Sequence, residues 1–545
     1  MKSLWPVVCL LIAAIVAGPL VEILLNLGRS SDGMWQHLAD TVLVGYVCNT
    51  VWLAIGVSVG TLLIGVSTAW MVTMYRFPGQ SILRWALLLP LAIPTYLLAY
   101  ATTDLLQFSG PIQSTLRELF GWTSAQDYWF PDVRSLPGAI CILTFGFYPY
   151  VYLAARAGFV EQSMCALEAS RTLGAGPWRS FSGVALPLAR PSIVAGLSLV
   201  LMETFAEFGA VDFCAVDTFA TGIYRTWASL GSLVAAAQLS ACLLGVVVLL
   251  LIVESKARGR AKFYHATTRY RELKPWQLHG SRAAIAMLVC SAPVVLGFLI
   301  PASVFIWMSI HHGDRRGHEL IVELGTNSVL LASIAAGVAT CLSLVVGYAR
   351  RVHPTRVVCA ATGVTGVGYA VPGGVIAIGV MSCAWWLEDG INNFTEQRFD
   401  WSPGLFISGT IMAMLLGYQT RFLAVSLGLI RTGLARIRPS MDEAARTLGA
   451  SSGRILIQVH TPMIRSSVMC AAILVFVDVL KELPATLILR PFNFDTLAVR
   501  VYQLASDERL AEASTGALAI IVVGLIPIAI LATLLDRPRT SESND

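Results

Sequence analysis

Four carboxylates lie in stretches that otherwise hold almost no charge. Glu203 and Glu207 stand four residues apart in the apolar run 191–213, and Asp478 and Glu482 stand four apart in 466–485, beside Lys481. A spacing of four puts each pair on one face of a helix. A charge at the centre of a bilayer costs roughly 2.5–3.5 kcal/mol on insertion scales, so such residues face protein or water. Two readings stand. Facing a path, the four offer hard oxygen donors, or a negative field, to a cation. Facing neighbouring helices, they act as hydrogen-bond partners, with Lys481 neutralising one of them. A tight metal cage suits neither reading, because a path must release what it binds. His311, His312, Asp314, His318 and Glu319 gather in one polar stretch. Their spacing is irregular and unrepeated, so they read as a solvated loop and no metal site is assigned.

Nothing points to a catalytic constellation. The phosphate-cradling pattern GxxxxGK[ST] is absent, and none of the five lysines (Lys2, Lys256, Lys262, Lys274, Lys481) follows a glycine. The chain is therefore expected to bind no cofactor of its own. Gly449-Ala-Ser-Ser-Gly453 matches GxSxG, but it follows a helical stretch rather than a strand, so the nucleophile reading is rejected. Eleven cysteines, never as CxxC, read as packing residues.

The elements that must carry these residues are membrane helices. Apolar residues make up 56% of the chain, charged residues 13%, and mean hydropathy is +0.69, far from a soluble composition. Runs long enough to cross about 30 Å of hydrocarbon are placed near 4–25, 48–74, 81–103, 137–158, 191–213 and 232–254. Six more fall near 283–310, 327–349, 357–385, 405–430, 466–485 and 514–535. The first run imitates a signal peptide but is longer than a usual signal core, and it is kept as a helix. The fold class is an all-α membrane protein of about twelve transmembrane helices. With these spans, the side holding the N-terminus carries 26 Lys/Arg and the opposite side ten. The positive-inside bias puts both termini in the cytoplasm and residues 105–136 and 386–404 outside. Positive charge scattered over short segments between apolar runs does not describe a nucleic-acid binder.

The chain also repeats itself. Glu168-Ala-Ser-Arg-Thr-Leu-Gly174 returns as Glu443-Ala-Ala-Arg-Thr-Leu-Gly449, each followed thirteen residues later by a proline, Pro187 and Pro462. The offset of 275 residues pairs Glu203 with Asp478 and Glu207 with Glu482. Continued further, it pairs Phe219 with Phe494, Thr221 with Thr496 and Arg225 with Arg500. Asn49-Thr50 and Pro94 match Asn327-Ser328 and Pro372 at an offset of 278. Residues 1–272 read as a first six-helix half and residues 273–545 as a second, with the basic stretch 255–281 as the linker between them. Six crossings return the chain to its starting side, so the halves are parallel repeats and a path is expected at their interface.

Each repeated motif reads as a short helix, a glycine break, and a second short helix ending in proline. Ser440-Met-Asp-Glu443 fits a capping box. Gly174 and Gly449 end the first helix in the left-handed conformation, and Pro177 opens the next. Glu168 and Arg171, like Glu443 and Arg446, share one face, and Ala169 and Ala444 leave room for a close neighbour.

This pattern resembles the EAA loop of the inner-membrane permeases of bacterial ABC importers. Val477-Asp-Val-Leu-Lys-Glu-Leu-Pro-Ala-Thr-Leu-Ile-Leu-Arg-Pro-Phe-Asn-Phe-Asp495, with Met202-Glu-Thr-Phe-Ala-Glu-Phe-Gly209, is similar to ferric-iron uptake permeases that fuse two halves. Ser170 and Thr461 depart mildly from the loop pattern. The resemblance implies that Glu168, Ala169, Arg171, Gly174, Glu443, Ala444, Arg446 and Gly449 dock a separate ATP-binding subunit dimer, which hydrolyses the ATP. It also implies that a periplasmic solute-binding protein delivers the cargo. The path reading of Glu203, Glu207, Asp478 and Glu482 rests instead on their pairing in both halves, with helix bracing as the alternative. Thiamine, sulfate, polyamine and phosphonate permeases carry the same loop and remain alternatives. An ion-coupled secondary transporter would share repeats and buried carboxylates without needing the two loops, and a membrane enzyme or non-transporting scaffold is a rival weakened by the lack of a catalytic constellation in the sequence.

Overall fold

A computed structural model describes residues 4–161, 170, 172, 174, 176–258, 276–312 and 318–536. Apart from a two-residue parallel bridge, Tyr75–Arg76 with Trp276–Gln277, the regular structure described is helical. Among the described residues ten helices are long and apolar enough to cross a membrane, or up to twelve if two sharply bent pairs each count as one crossing.

One bent pair is Gln80–Ala92 with Thr95–Phe120, at 94°. The cause is local. Proline forces the residue before it out of the helical region, and Ile93 is extended (φ −95°, ψ 117°) ahead of Pro94. The second half repeats the device: Val371 is extended (φ −87°, ψ 130°) ahead of Pro372, and Gly373–Phe399 follows. The other bent pair, Ser452–Met463 with Arg465–Lys481 at 83°, has no bent counterpart, since Trp178–Ala206 runs as one span in the first half.

The chain resolves into two compact units that cut across the duplication, whose expected boundary at 272/273 lies outside the described residues. One unit takes 1–42, 222–244 and 314–507; the other takes 43–221, 245–313 and 508–545. Within the first unit, Leu4–Leu25 packs on second-half helices. Gly379 lies so close to Pro19 and Ile23 that a Cβ would collide, and Trp5 meets Tyr348 edge-on at 5.0 Å. Within the other, Ser281–Val294 and its continuation pack on first-half helices, with Gly297 against Pro90 and the Phe145 carbonyl. The helices Leu43–Met74 and Leu136–Glu161 approach each other through Gly56, Gly60 and Gly65, where a Cβ would overlap Ile140, Thr144 and Val151. Small residues permit this intimacy where the lipid supplies no hydrophobic drive.

The segments expected outside are tied down by carboxylates. Asp127 accepts backbone N–H groups of Ser124 and Thr123, both at 2.8 Å, which pull its carboxyl below the usual range. Glu388, nearly inaccessible, accepts three successive N–H groups through Oε1, from Phe406 (2.9 Å), Ile407 (2.5 Å) and Ser408 (2.7 Å). Glu388→Ala would orphan all three donors, a loss on the order of 3 kcal/mol or more. Glu388→Gln keeps an acceptor and should lose much less. Thermal unfolding in detergent should rank alanine well below glutamine, and equal midpoints would contradict the account.

Candidate functional site

The second repeated motif forms the helix Pro439–Thr447. Its N-cap is Arg438, with Pro439 at the first helical position and no side-chain cap. The capping box read at Ser440 is therefore not formed. Proline's fixed φ and missing N–H suit the first turn, so the helix starts before Ser440 and leaves that serine inside it. At the other end, Gly449 takes φ +80°, its N–H donates to the Arg446 carbonyl (3.0 Å), and Ala450 N–H donates to Ala445 (3.0 Å). This is a Schellman closure, which needs a residue at ease in the left-handed region. Gly174 takes φ +85° at the matching position. Glu443, Ala444, Arg446 and Leu448 are exposed, Leu448 at 87%, while Asp442 and Ala445 turn partly inward. Glu168, Ala169 and Arg171 lie outside the described residues.

Asp442 is the anchor of this helix. Arg351, in the last turn of His318–Val352, reaches Asp442 Oδ2 through Nε (2.9 Å) and Nη2 (2.8 Å). The same guanidinium donates to the carbonyls of Leu434 (2.5 Å) and Ile437 (2.9 Å), at and just beyond the end of Ile411–Ala435. His460, fully buried, holds Asp442 Oδ1 through Nε2 and meets Tyr348 edge-on at 5.3 Å. Reading the motif as Glu-Ala-Ala missed this triad, because its members are 18 and 91 residues apart and meet only in the fold.

The first half lacks it. Its second span, Leu43–Met74, matches Ile321–Val352 residue for residue, which puts Thr73 where Arg351 stands and Trp70 where Tyr348 stands. Trp70 packs on Phe159 (5.3 Å) and Phe181 (4.8 Å), and Ala185 occupies the place of His460. The π-helical turns Phe181–Ala185 and Leu456–His460 do repeat at the 275 offset. Pro187 and Pro462 follow each by two residues. A proline cannot donate to the carbonyl four residues back and its ring presses on it, so the helix widens there.

The membrane carboxylates divide into two kinds. Glu203 and Asp478 lie on the long helices Leu186–Ala206 and Arg465–Lys481, both half-buried. Glu207 and Glu482 lie just past the ends of those helices, with extended backbones (ψ 122° and 118°). The expectation that each pair shares a helical face therefore fails at its second member. Each of these residues then caps a short following helix. Glu207 Oε1 accepts from Ala210 N (2.8 Å) ahead of Gly209–Phe213, and Glu482 Oε1 accepts from Ala485 N (3.3 Å) ahead of Pro484–Leu489. Thr95 Oγ1 donates to Glu207 Oε2 at 2.5 Å. Arg421 Nη1 binds both oxygens of Glu482, at 2.9 and 2.8 Å, both residues over nine-tenths buried. Arg421 was open to notice as an arginine inside an apolar run, yet Lys481, its nearer rival in sequence, drew the assignment. Among the described residues no group of three or more His, Cys, Asp or Glu could hold a metal ion. Residues 313–317 of the histidine-rich stretch lie outside the described residues.

The repeat also changes register beyond this break. Thr50 Oγ1 accepts from Phe219 N (3.3 Å), and Ser328 Oγ accepts from Leu497 N (2.8 Å). The helices Phe219–Ala228 and Leu497–Ser506 thus match at 278, so Asp217-Thr218 answers Asp495-Thr496. Pairing Phe219 with Phe494, Thr221 with Thr496 and Arg225 with Arg500 was three residues out of register. The segment 490–496 is longer than its counterpart, and identical residue types nearby concealed the insertion.

A sequence model of the family described as binding-protein-dependent transport system inner membrane component matches residues 61–256. The Fe(3+)-transport system permease protein FbpB 2 of Haemophilus influenzae is 24% identical over 489 residues, 89% of this chain and 88% of that protein. The sulfate transport system permease protein CysT of Escherichia coli is 29% identical over 208 residues, 38% of this chain and 72% of its own. A putative 2-aminoethylphosphonate transport system permease protein, PhnU of Salmonella choleraesuis, is 30% identical over 218 residues, 38% of this chain and 75% of its own.

Proposed function

We propose that this chain, which belongs to the family of binding-protein-dependent transport system inner membrane components, is the fused two-half permease that moves ferric iron across the inner membrane. The likeness to an Fe(3+) permease along 89% of the chain carries the iron reading, because that relative shares the fused length. The sulfate and phosphonate permeases are more identical, but over 38% of the chain. They make an oxyanion the second reading.

In this reading a periplasmic binding protein delivers iron, and the path lies where the two halves meet. A separate ATPase dimer docks on the two repeated motifs, at Glu168 and on the exposed helix face that carries Glu443. The exposure of Glu443, Ala444, Arg446 and Leu448 on a helix anchored from behind supports that docking role. The arginine and lysine bias supports cytoplasmic termini. Glu203 and Asp478 are the carboxylates assigned to the path by charge, and Glu207 and Glu482 border it.

Expression in a strain lacking its own ferric permease should restore growth on limiting iron. Glu203→Gln and Asp478→Asn keep shape and remove charge, so each should lower iron uptake and the double variant should lower it further. Uptake near that of the unaltered protein would leave these residues as helix braces, for which amides serve nearly as well. Failure on iron together with uptake of sulfate would replace the iron reading with the oxyanion one.

A further inference from the structure

The two breaks close on the same carboxylate but recruit its partner from different helices. In the first half the partner is Thr95, the first residue of Thr95–Leu106. Its counterpart is Gly373, the first residue of Gly373–Phe399, also preceded by an N-cap proline. In the second half the partner is Arg421, on Ile411–Ala435. That helix starts 275 residues after Leu136–Glu161, so the counterpart of Arg421 is Gly146. Wherever one half places the partner, the other half places a glycine.

Space explains the glycines. A Cβ on Gly373 would overlap Glu482 Oε1 and Arg421 Nη1, so the arginine's reach excludes even alanine there. A Cβ on Gly146 would meet Thr95 Cγ2 at 2.9 Å, so the threonine excludes a side chain at the mirrored place. One volume beside each carboxylate is filled once, from one side or the other.

We infer that Thr95 with Gly146, and Gly373 with Arg421, are two interchangeable sets of positioning residues that hold the helix breaks at Glu207 and Glu482. Each set fixes a carboxylate that stops one helix and caps the next. The angle of the short helix beside the path depends on it. The sets are solutions to one packing problem, reached separately in the two halves. This rests on the proposed transport role only for its uptake readout.

The test exchanges the sets. Arg421→Gly leaves Glu482 buried without its guanidinium, and Gly373→Thr alone collides with the pair it should replace. Together, Gly373→Thr and Arg421→Gly rebuild the arrangement of the first half. Each single variant should lose about ten-fold or more in ferric-iron uptake, while the double variant returns to within about three-fold of the unaltered protein, the non-additivity of residues sharing one contact. The yield of monodisperse full-length protein from the membrane should follow the same order. That measurement needs no substrate, so a wrong cargo would show as absent uptake in the unaltered protein while the yields still ranked. The mirrored exchange, Thr95→Gly with Gly146→Arg, should likewise outperform its two single variants. Double variants no better than the worse single one, in both yield and uptake, would overturn the inference.

Discussion

Asp442→Ala is expected to cut solute uptake about ten-fold or more while the chain still enters the membrane. The substitution removes one partner from a pair that is largely shielded, the Arg351 side chain 17% exposed and that of Asp442 14%. Breaking such a pair leaves an uncompensated charge, at about 3 kcal/mol. His460 loses its acceptor in the same step. The helix bearing Glu443, Ala444 and Arg446 is then no longer fastened to His318–Val352 and Ile411–Ala435, and in the proposed docking role force applied to it would not be passed on. The matching prediction is less obvious. Arg351→Thr, Asp442→Leu and His460→Ala together copy the residue types of the first half (Thr73, Leu167, Ala185) and leave no orphaned charge. The triple variant should therefore be less impaired than Asp442→Ala alone, because removing all partners is gentler than removing one. Uptake by membrane vesicles with the ATPase present would decide. Full activity of Asp442→Ala would sink the anchor, and a triple variant worse than the single one would sink the account of the asymmetry.

Gly449→Pro should abolish solute-stimulated ATP hydrolysis by the assembled complex. Proline is locked near φ −65° and cannot take the +80° found at this position. It also lacks the N–H that Gly449 donates to Arg446. The closure of the helix is lost on both counts, and with it the direction in which Glu443 is presented. Gly449→Ala keeps the N–H and meets only the left-handed strain, roughly 1–2 kcal/mol, so it should slow hydrolysis without ending it. Gly174, at φ +85°, should show the same ranking of proline below alanine below glycine. A Gly449→Pro complex hydrolysing ATP at the normal rate would show that the break does not matter to coupling.

Much of this molecule was legible in its residues taken in order. Apolar runs of about 20 residues report a bilayer crossing however the helices are later arranged, because length and hydrocarbon thickness alone set the requirement. The left-handed turns at Gly174 and Gly449 are local consequences of glycine backbones and stand where they are expected. The breaks ahead of Pro94 and Pro372 fall inside runs read as single spans, 81–103 and 357–385, although the constraint that proline puts on the residue before it is just as local. The duplication was visible too, since identical short strings at a fixed offset need no structure to be seen.

What tertiary structure decided are the contacts whose members lie far apart in the chain. Glu482 could pair with the adjacent Lys481 on paper, but it sits past the end of its helix, where its oxygens meet Arg421, 61 residues away. Asp442 carried no assigned role inside the string read as a capping box, yet it is the centre of a largely shielded cluster with Arg351 and His460, which lie 91 and 18 residues away. The first helix of each half packs within the unit built largely from the other half. No periodicity records that, since an apolar helix carries the same pattern whichever neighbour covers it. The exchange of Thr95 and Gly146 for Gly373 and Arg421 was likewise present in the residues all along. It became a relation only when two helices were brought to the same carboxylate, where one volume admits one side chain.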